Sequence, residues 1–598
     1  MKSILHNQLN SAQQEAISRV NGPSIILAGA GSGKTRVLTY KTAYMVETGI
    51  DPSSILMATF TNKAAGEMKK RIQQFVSSQL GFVGTFHSLS ASILRKHGHA
   101  IGVPPNFVIF DEDDKEALLK QVVLEVRFDG KLNIPTISHK ISSAKDNLMT
   151  PLEFSKFSSN SYDSAIATAY TIYQKKLEEN QAVDFDDLLF KSVNLFQKNP
   201  QTLKRFNDTF HYMLVDEFQD TNTAQYMLSR LLAGDKQNIT VVGDFSQSIY
   251  SWRGAEIRNL EKFQRDFKGT KVFYLEQNYR STQNILDYAY GVISVNTSHP
   301  ILQLFTENKS GEEVEVVQLG TDEEEALFIA NKLSKYEEAE LDLMAILYRV
   351  NSQSRAIEEA FLHYGIPYIL IGGTRFYARR EVKDILSYLR LIVNPKDSVS
   401  LERATKIGKR KLAKLQELSD KIKDTFQDFS SDEIVQKILD ATDYLDLYNS
   451  DDEEDFSRLE NIKELRSVAL NFPDLNDLLQ QVALVESEYS EAEKKKTHQG
   501  VKLMTMHQAK GLEFDTVFVV GVEEGLLPHA RSVFDNHQLE EERRLFYVGV
   551  TRARKKLYIT HAQYRMTYGR RIPSLPSRFL NIQSETSQEY YTNTGYDD

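Results

Sequence analysis

The chain of 598 residues is too long for one hydrophobic core, and at roughly 150 residues per domain it holds about four folding units. Its 41% hydrophobic and 26% charged residues are those of an ordinary globular protein, and no apolar run comes near the ~18 residues of a membrane-spanning helix. The absence of cysteine excludes disulfides, cysteine-bound zinc and iron–sulfur clusters, and a net charge of -10 argues against whole-surface attraction to nucleic acid while leaving room for a local basic groove.

The amino-terminal MKSILHNQLNSAQQEAI turns polar after five residues and lacks the apolar core of a secretory signal, so the expected location is the cytoplasm, with no membrane partner. Short apolar, β-rich runs then recur: SIILA at 24–28, ILMAT at 55–59, YMLV at 212–215 and ITVVG at 239–243. They alternate with helical stretches such as Val37 to Glu47, the pattern of a parallel α/β sheet. The second half repeats it with KVFYL at 271–275, VEVVQL at 314–319, MAILY at 344–348, VKLMTM at 501–506, TVFVVGV at 516–522 and KLYIT at 556–560. The expectation is an α/β fold with two cores built on parallel sheets, each interrupted by a mostly helical insert. The first core takes 1–88 and 193–270 around an insert at 89–192, and the second takes 271–374 and 501–583 around an insert at 375–500. Within the second insert, DDEED at 451–455 and ESEYSEAEKKK at 486–496 read as charged loops, and the polar tail 584–598 reads as disordered.

AGAGSGKT, Ala28 to Thr35, follows the strand SIILA and precedes a helical pattern, the context of a phosphate-binding loop. Ala28 stands at the first glycine of the general pattern, and Gly29, Ala30, Gly31, Ser32 and Gly33 supply the turning backbone. Lys34 brings a point charge to the β and γ phosphates, and Thr35 a hydroxyl to magnesium. YMLVDEFQD supplies the carboxylates this chemistry needs. Asp216 and Glu217 emerge at a strand's carboxyl end, where ligands bind in open α/β sheets; Asp216 is assigned to magnesium, Glu217 to orienting and deprotonating water. In GDFSQSIYSWRGA, Gly243 to Ala255, Gln247 is a candidate nucleotide sensor, a few residues from the base-sized rings of Tyr250 and Trp252 and the charge of Arg253.

Together these motifs resemble superfamily 1 DNA helicases of the UvrD, PcrA and Rep type, over nearly the whole chain and in order. LNSAQQEA at 9–16, ATFTNKAAGEM at 58–68, GTFHS at 84–88, YQKKLEENQAVDFDDLL at 173–189, LEQNYRST at 275–282, LMTMHQAKGLEF at 503–514 and EEERRLFYVGVTRA at 540–553 carry the likeness. The resemblance implies two RecA-like P-loop NTPase cores, ATP and Mg2+ as cofactors, and movement from 3′ to 5′ on single-stranded DNA in repair or replication. By it, Gln13 reads the adenine edge, Tyr279 stacks on its face, Gln247 senses the γ phosphate and Glu513 meets the ribose or its water. Arg280 and Arg552, both from the second core, act as arginine fingers. Phe60, Tyr250 and Trp252 stack on bases; His87, Arg253, Asn351, His507 and His529 contact backbone or bases, with Phe185 and Tyr568 as further aromatic contacts. Single-strand/duplex junctions, repair or replication proteins, and a monomer or DNA-induced oligomer complete the expected partners.

The chain departs from the family pattern in two places. Ser246 stands at a position the family commonly fills with an acid, and the second insert looks shortened, with ATKIGKRKLAKLQ at 404–416 in place of a Gly-Ile-Gly element that contacts duplex. Lys406, Lys409, Arg410, Lys411 and Lys414 are the basic residues that would substitute there. With only a polar tail after PSRFL at 576–580, the expectation is that neither a nuclease domain nor an extension that binds RNA polymerase follows. Two further readings stay open: a single-strand translocase that strips proteins from DNA and unwinds weakly, and a nucleotide-switched DNA-binding adaptor without turnover.

Overall fold

The structure, a computed structural model, describes residues 8–580 and 589–590, apart from 77, 131, 424, 451, 495–498 and 568–569. The chain divides into two compact units, one of residues 1–280 with 296–307 and the other of 281–295 with 308–598. Among the described residues no helix is long and apolar enough to cross a membrane.

The first unit contains, in chain order, β1 (Ser24–Ala28), β2 (Ile55–Thr59), β3 (Phe82–Thr85), β4 (Val108–Phe110), β5 (Ala182–Asp184), β6 (Tyr212–Val215), β7 (Ile239–Gly243), β8 (Lys271–Leu275), β9 (Gln277–Asn278) and β10 (Phe305–Thr306). Six of them form a parallel sheet in the order β3-β2-β6-β7-β1-β8. Every residue of β1, β2 and β7 is buried, because a parallel sheet with helices on both faces has no solvent side. Alternation survives only as a choice of face. Ile25, Leu27, Met213, Val215 and Val241 enter one hydrophobic cluster, while Ile26, Met57, Leu214, Val242 and Phe273 enter the other.

Between β3 and β6 the chain is mostly helical, with β4 and β5 as a parallel pair. Its own core gathers Leu119, Val122, Ile137, Ile141, Ile166, Tyr170 and Tyr173. Helices Phe86–His97 and Phe185–Lys198 instead send Phe86, Leu89, Leu188 and Phe196 into the cluster beneath the six-stranded sheet.

The second unit contains β11 (Glu315–Thr321), β12 (Met344–Tyr348), β13 (Tyr368–Leu370), β14 (Val501–Thr505), β15 (Phe514–Val519), β16 (Ala553–Thr567), β17 (Arg570–Pro573) and β18 (Glu589–Tyr590). The order is β13-β14-β12-β15-β16-β11-β18, with β17 running antiparallel to β16. Between β13 and β14 lies a helical segment whose core includes Tyr377, Ile385, Leu389, Ile434, Tyr444, Leu465 and Leu478.

The two parallel α/β sheets are those the sequence predicts, with three corrections. KVFYL, expected in the second core, is β8 of the first sheet. It pairs with β1 from Ser24↔Lys271 to Ala28↔Leu275 and buries Phe273 and Leu275 against the face that holds Ile26 and Ala28. The described residues of DDEED and ESEYSEAEKKK, expected as loops, cap or belong to helices Glu453–Asn471 and Leu475–Lys494, and Asp451, Lys495 and Lys496 lie outside the described residues. Asp452 caps the first of these by accepting from Asp455 N, and acids there oppose the positive end of the helix dipole; Glu, Ala and Lys favour the second. Strands β3 and β13, too short to show a period, were not predicted. Of the polar tail, Glu589–Tyr590 form β18 and the rest lies outside the described residues.

Candidate functional site

Sheet order places the chemistry. Since β6, β7 and β1 are adjacent, the segments leaving their carboxyl ends are neighbours, and these carry Asp216, Asp244 and the glycine-rich loop. In that loop Gly31 and Gly33 have φ of +67° and +85°, a region open to glycine. A Cβ on Gly31 would also lie 2.7 Å from Asn278 Nδ2 and 2.8 Å from Arg280 Cβ, and one on Gly29 would strike Leu304.

Each carbonyl from residue 29 to 32 is already engaged. Gly29 O accepts from Ser32 N and Oγ, Ala30 O from Asn278 Nδ2 at 2.7 Å, Gly31 O from Tyr279 N at 3.0 Å, and Ser32 O from Gln13 Nε2 at 3.0 Å. With its acceptors spent, the loop offers N–H groups, and the helix Lys34–Glu47 begins behind it without a side-chain cap. That is the cradle an anion needs.

Lys34 Nζ lies 3.9 Å from Asp244 Oδ2. Asp244 also accepts from Gln247 Nε2 at 2.6 Å and from Ser246 N at 3.1 Å. Asp216 is buried and accepts from Glu217 N at 3.0 Å; burial first, and the Glu217 carboxylate second, push its carboxyl well above the usual range. Burial raises Asp244 as well, against the pull of Lys34. Two buried acids held this way form a donor set short of positive charge, which suits a divalent cation beside the Thr35 hydroxyl.

Glu217 sits at φ +50°, and its carboxylate accepts from Gln219 Nε2 at 2.6 Å. Gln219 also donates to Asp220 Oδ2 and accepts from Asp244 N at 3.0 Å. A Cβ on Gly243 would lie 2.6 Å from Gln219 Oε1, so this glycine is required by the close approach of that amide. Asp244, Gln219 and Asn278 were missed from sequence, although each lies within a stretch singled out there. What marks them is contact between segments distant in the chain.

Gln13 is buried, with Oε1 accepting from Asn10 N in a capping box and Nε2 holding Ser32 O. Tyr279, 46% exposed, has its hydroxyl between Asn10 Nδ2 at 2.9 Å and Gln277 Oε1 at 3.1 Å, leaving a ring face open beside the loop. Arg280 belongs to the first unit by its contacts, not to the second core as expected, because Asn278 Oδ1 accepts from its N–H at 2.8 Å and Tyr279 is bonded to the loop. Ser246 Oγ meets His299 Nε2 at 3.1 Å, a polar brace where the family pattern has an acid.

The aromatics converge in the same unit. Phe60, just past β2, and Tyr250, past β7, are stacked with centroids 5.9 Å apart and 9° between planes. Trp252 meets Tyr250 edge-on at 6.4 Å, is 43% exposed and carries the Arg253 guanidinium 4.6 Å over its ring. Phe185, 47% exposed, lies edge-on to His87 at 6.0 Å; burial lowers the His87 pKa, so its imidazole is neutral at pH 7. These are base-sized surfaces, one of which carries a cation on its face.

In the second unit Arg552 is 1% exposed and donates to Val548 O at 2.9 Å and Leu512 O at 3.2 Å. Glu513 is exposed, 3.9 Å from Arg554. Asn351 and His507 follow β12 and β14 and are half-buried. His529 is 8% exposed and set edge-on to Phe456 at 4.8 Å, an interior histidine rather than a surface one. Tyr568 lies outside the described residues. Of the basic run, Lys406 pairs with Glu402 at 2.8 Å, Lys411 donates to Thr442 O at 2.9 Å and Lys414 pairs with Asp443, while Lys409 and Arg410 are exposed.

Residues 9–268 match the UvrD/REP helicase N-terminal domain and residues 273–564 the UvrD-like helicase C-terminal domain. Among curated relatives, the ATP-dependent DNA helicase PcrA of Staphylococcus aureus is 39% identical over 645 aligned residues, covering 99% of this chain and 88% of the relative. The protein of the same name from Staphylococcus epidermidis is 40% identical over 651, covering 99% and 89%.

Proposed function

The chain belongs to the UvrD-like helicase family, and from that premise we propose that it is an ATP-dependent DNA helicase that moves from 3′ to 5′ on single-stranded DNA, in repair or replication within the cytoplasm. The observation that carries this reading is the run from Asp244 and Gln247, beside Lys34, to Tyr250, Trp252 and Arg253, which joins an anion cradle to a set of base-sized rings within one segment.

The glycine-rich loop and Lys34 bind the β and γ phosphates, and Tyr279 stacks on the adenine that Gln13 reads. Thr35 and Asp216 are the residues that would hold magnesium, which supplies Lewis-acid charge to the phosphates when bound. Glu217 orients the attacking water and takes its proton, and its tie to Gln219 fixes the carboxylate's direction. Gln247, linked through Asp244 to Lys34, senses the γ phosphate; Arg280 and Arg552 offset charge on the leaving phosphates, and Glu513 meets the ribose. Phe60, Tyr250 and Trp252 stack on bases, with Arg253, His87 and Phe185 beside them and Asn351 and His507 on the second unit.

ATP hydrolysis measured with and without single-stranded DNA tests this reading, followed by strand displacement from duplexes with 3′ or 5′ tails. DNA-stimulated hydrolysis with displacement from the 3′ tail is expected; displacement from the 5′ tail alone would overturn the polarity. A translocase with weak unwinding is favoured by one observation. Lys406, Lys411 and Lys414 have intramolecular partners, which leaves less of the basic run for duplex.

A further inference from the structure

Asp146 is the last residue of helix Ile134–Asp146, half-buried at the negative end of the helix dipole, where a carboxylate is least favoured. Its neighbours do not relieve this. The Asp186 and Asp184 carboxylates raise its pKa further after burial does, against only Lys115, so that it stands at about 8 and the group holds its proton at neutrality. Lys145, wholly buried one residue earlier, is spent on Asp184 at 2.7 Å and Asp187 at 3.0 Å. Local stability gives no reason for an acid here.

What Asp146 touches does. Its Oδ1 accepts from Asn222 Nδ2 at 2.5 Å, and a Cβ on Gly254 would lie 2.5 Å from its Oδ2. Asn222 caps helix Thr223–Ala233 by accepting from Gln225 N and follows the turn that carries Glu217, Gln219 and Asp220. Gly254, at φ +83°, closes the turn of Ser251–Arg253 that carries Trp252. Beside this point Thr223 Oγ1 donates to Asn147 Oδ1 at 3.5 Å. One side chain of the helical insert therefore meets both the segment after the hydrolytic glutamate and the turn that displays the tryptophan.

We propose that Asp146 is a positioning residue that holds the Trp252 turn in register with the Glu217 segment, so that DNA on the aromatic rings is felt at the hydrolytic site. The inference deepens the proposed helicase function and rests on it. A carboxyl that carries its proton is matched in shape and charge by asparagine, whose oxygen can still accept from Asn222; alanine removes the contact altogether. Asn222→Ser cuts it from the other side and keeps a competent helix cap.

The test is ATP hydrolysis as a function of single-stranded oligodeoxynucleotide concentration, with Trp252 emission followed in parallel, for the unaltered chain, Asp146→Ala, Asn222→Ser and Asp146→Asn. The alanine and serine variants should keep DNA-free hydrolysis and need about tenfold more oligonucleotide for half-maximal stimulation, within the usual span of coupling between sites. Their Trp252 emission without DNA should also differ from that of the unaltered chain, and Asp146→Asn should behave as the unaltered chain. If Asp146→Ala does not fold, Asn222→Ser and Asp146→Asn decide the outcome. The inference is overturned if Asn222→Ser titrates normally, if it loses DNA-free and stimulated hydrolysis in proportion, or if Asp146→Asn fails to restore coupling. An unaltered chain that ignores the oligonucleotide overturns the function itself, and the inference with it.

Discussion

The two parallel sheets each gather buried charge at their carboxyl ends, and they balance it differently. At the end of β6 and β7 lie the acids Asp216 and Asp244, the second of them 3.9 Å from Lys34, and burial pushes both carboxyls up. Beyond β15, Glu523 and Glu325 share Arg565. Glu523 accepts from its Nε at 2.6 Å and Glu325 from a terminal nitrogen at 2.7 Å, while Ala562 N, Ser574 Oγ, Gly521 N and Thr560 Oγ1 take up the remaining lone pairs. Glu523 is accordingly lowered in spite of its burial, and Arg565 is raised well above the ordinary arginine value. A buried carboxylate that the fold itself satisfies is structural; one left short of positive charge marks where a charged ligand enters.

The sharpest way to break this contrast is to neutralise Glu217, the acid next to Asp216 at the first site. Glu217→Gln removes the proposed base while preserving the bond from Gln219, and hydrolysis should fall about 10²- to 10⁴-fold with nucleotide binding retained. Steady-state hydrolysis together with equilibrium nucleotide binding checks it, and near-normal turnover would sink the assignment. In the second set the damage should instead appear in folding. Arg565→Leu strands Glu325 and Glu523 and should cost about 3–5 kcal/mol in urea unfolding of the second unit. A variant as stable as the unaltered chain would show that those carboxylates are not held by Arg565.

Much of this was legible in the sequence because it is local. Strands β1, β2, β6 and β7 are short, mostly apolar runs, and the Gly33-Lys34-Thr35 turn between a strand and a helix announces a phosphate loop. What stayed hidden depends on pairing at a distance. KVFYL adjoins the strands of the second half in sequence, yet as β8 it pairs with β1, and Arg280 follows it into the first unit. Gln219 is one more polar residue in YMLVDEFQD until Gly243 brings Asp244 N against its amide. The helices at 453–471 and 475–494 were misread because acidity was taken for exposure alone, when acids also favour a helix start.

The aromatic track gives a smaller effect that sharpens the same contrast, since Trp252 is exposed and bears little on folding. Trp252→Ala should weaken binding of a single-stranded oligonucleotide by about 1–3 kcal/mol, read by fluorescence anisotropy of a labelled strand, with the unfolding midpoint unchanged. Undiminished affinity would remove Trp252 from the track, even with Tyr250 still stacked on Phe60.

His529 offers the smallest effect and one that depends on pH. Burial first, then the Arg349 and Arg531 guanidinium groups and Lys463, lower its pKa to about 4 against the pull of Glu542, and its Nδ1 accepts from Arg531 N at 3.4 Å, which requires the neutral ring. Between about 4 and the ordinary ~6.5 the unfolded chain therefore binds a proton that the folded chain refuses, so stability rises with pH across that window. The contribution is complete well above the unfolded value and is lost as pH falls, by about 1.6 kcal/mol between pH 6.5 and 5. His529→Asn can keep the acceptor beside Arg531 N without titrating, so its stability should fall less over the same interval. Urea unfolding of both chains at the two pH values checks it. If the pair lose stability equally, His529 titrates as an exposed histidine does, and its place against Phe456 gives way to the solvent-facing role that the resemblance implied.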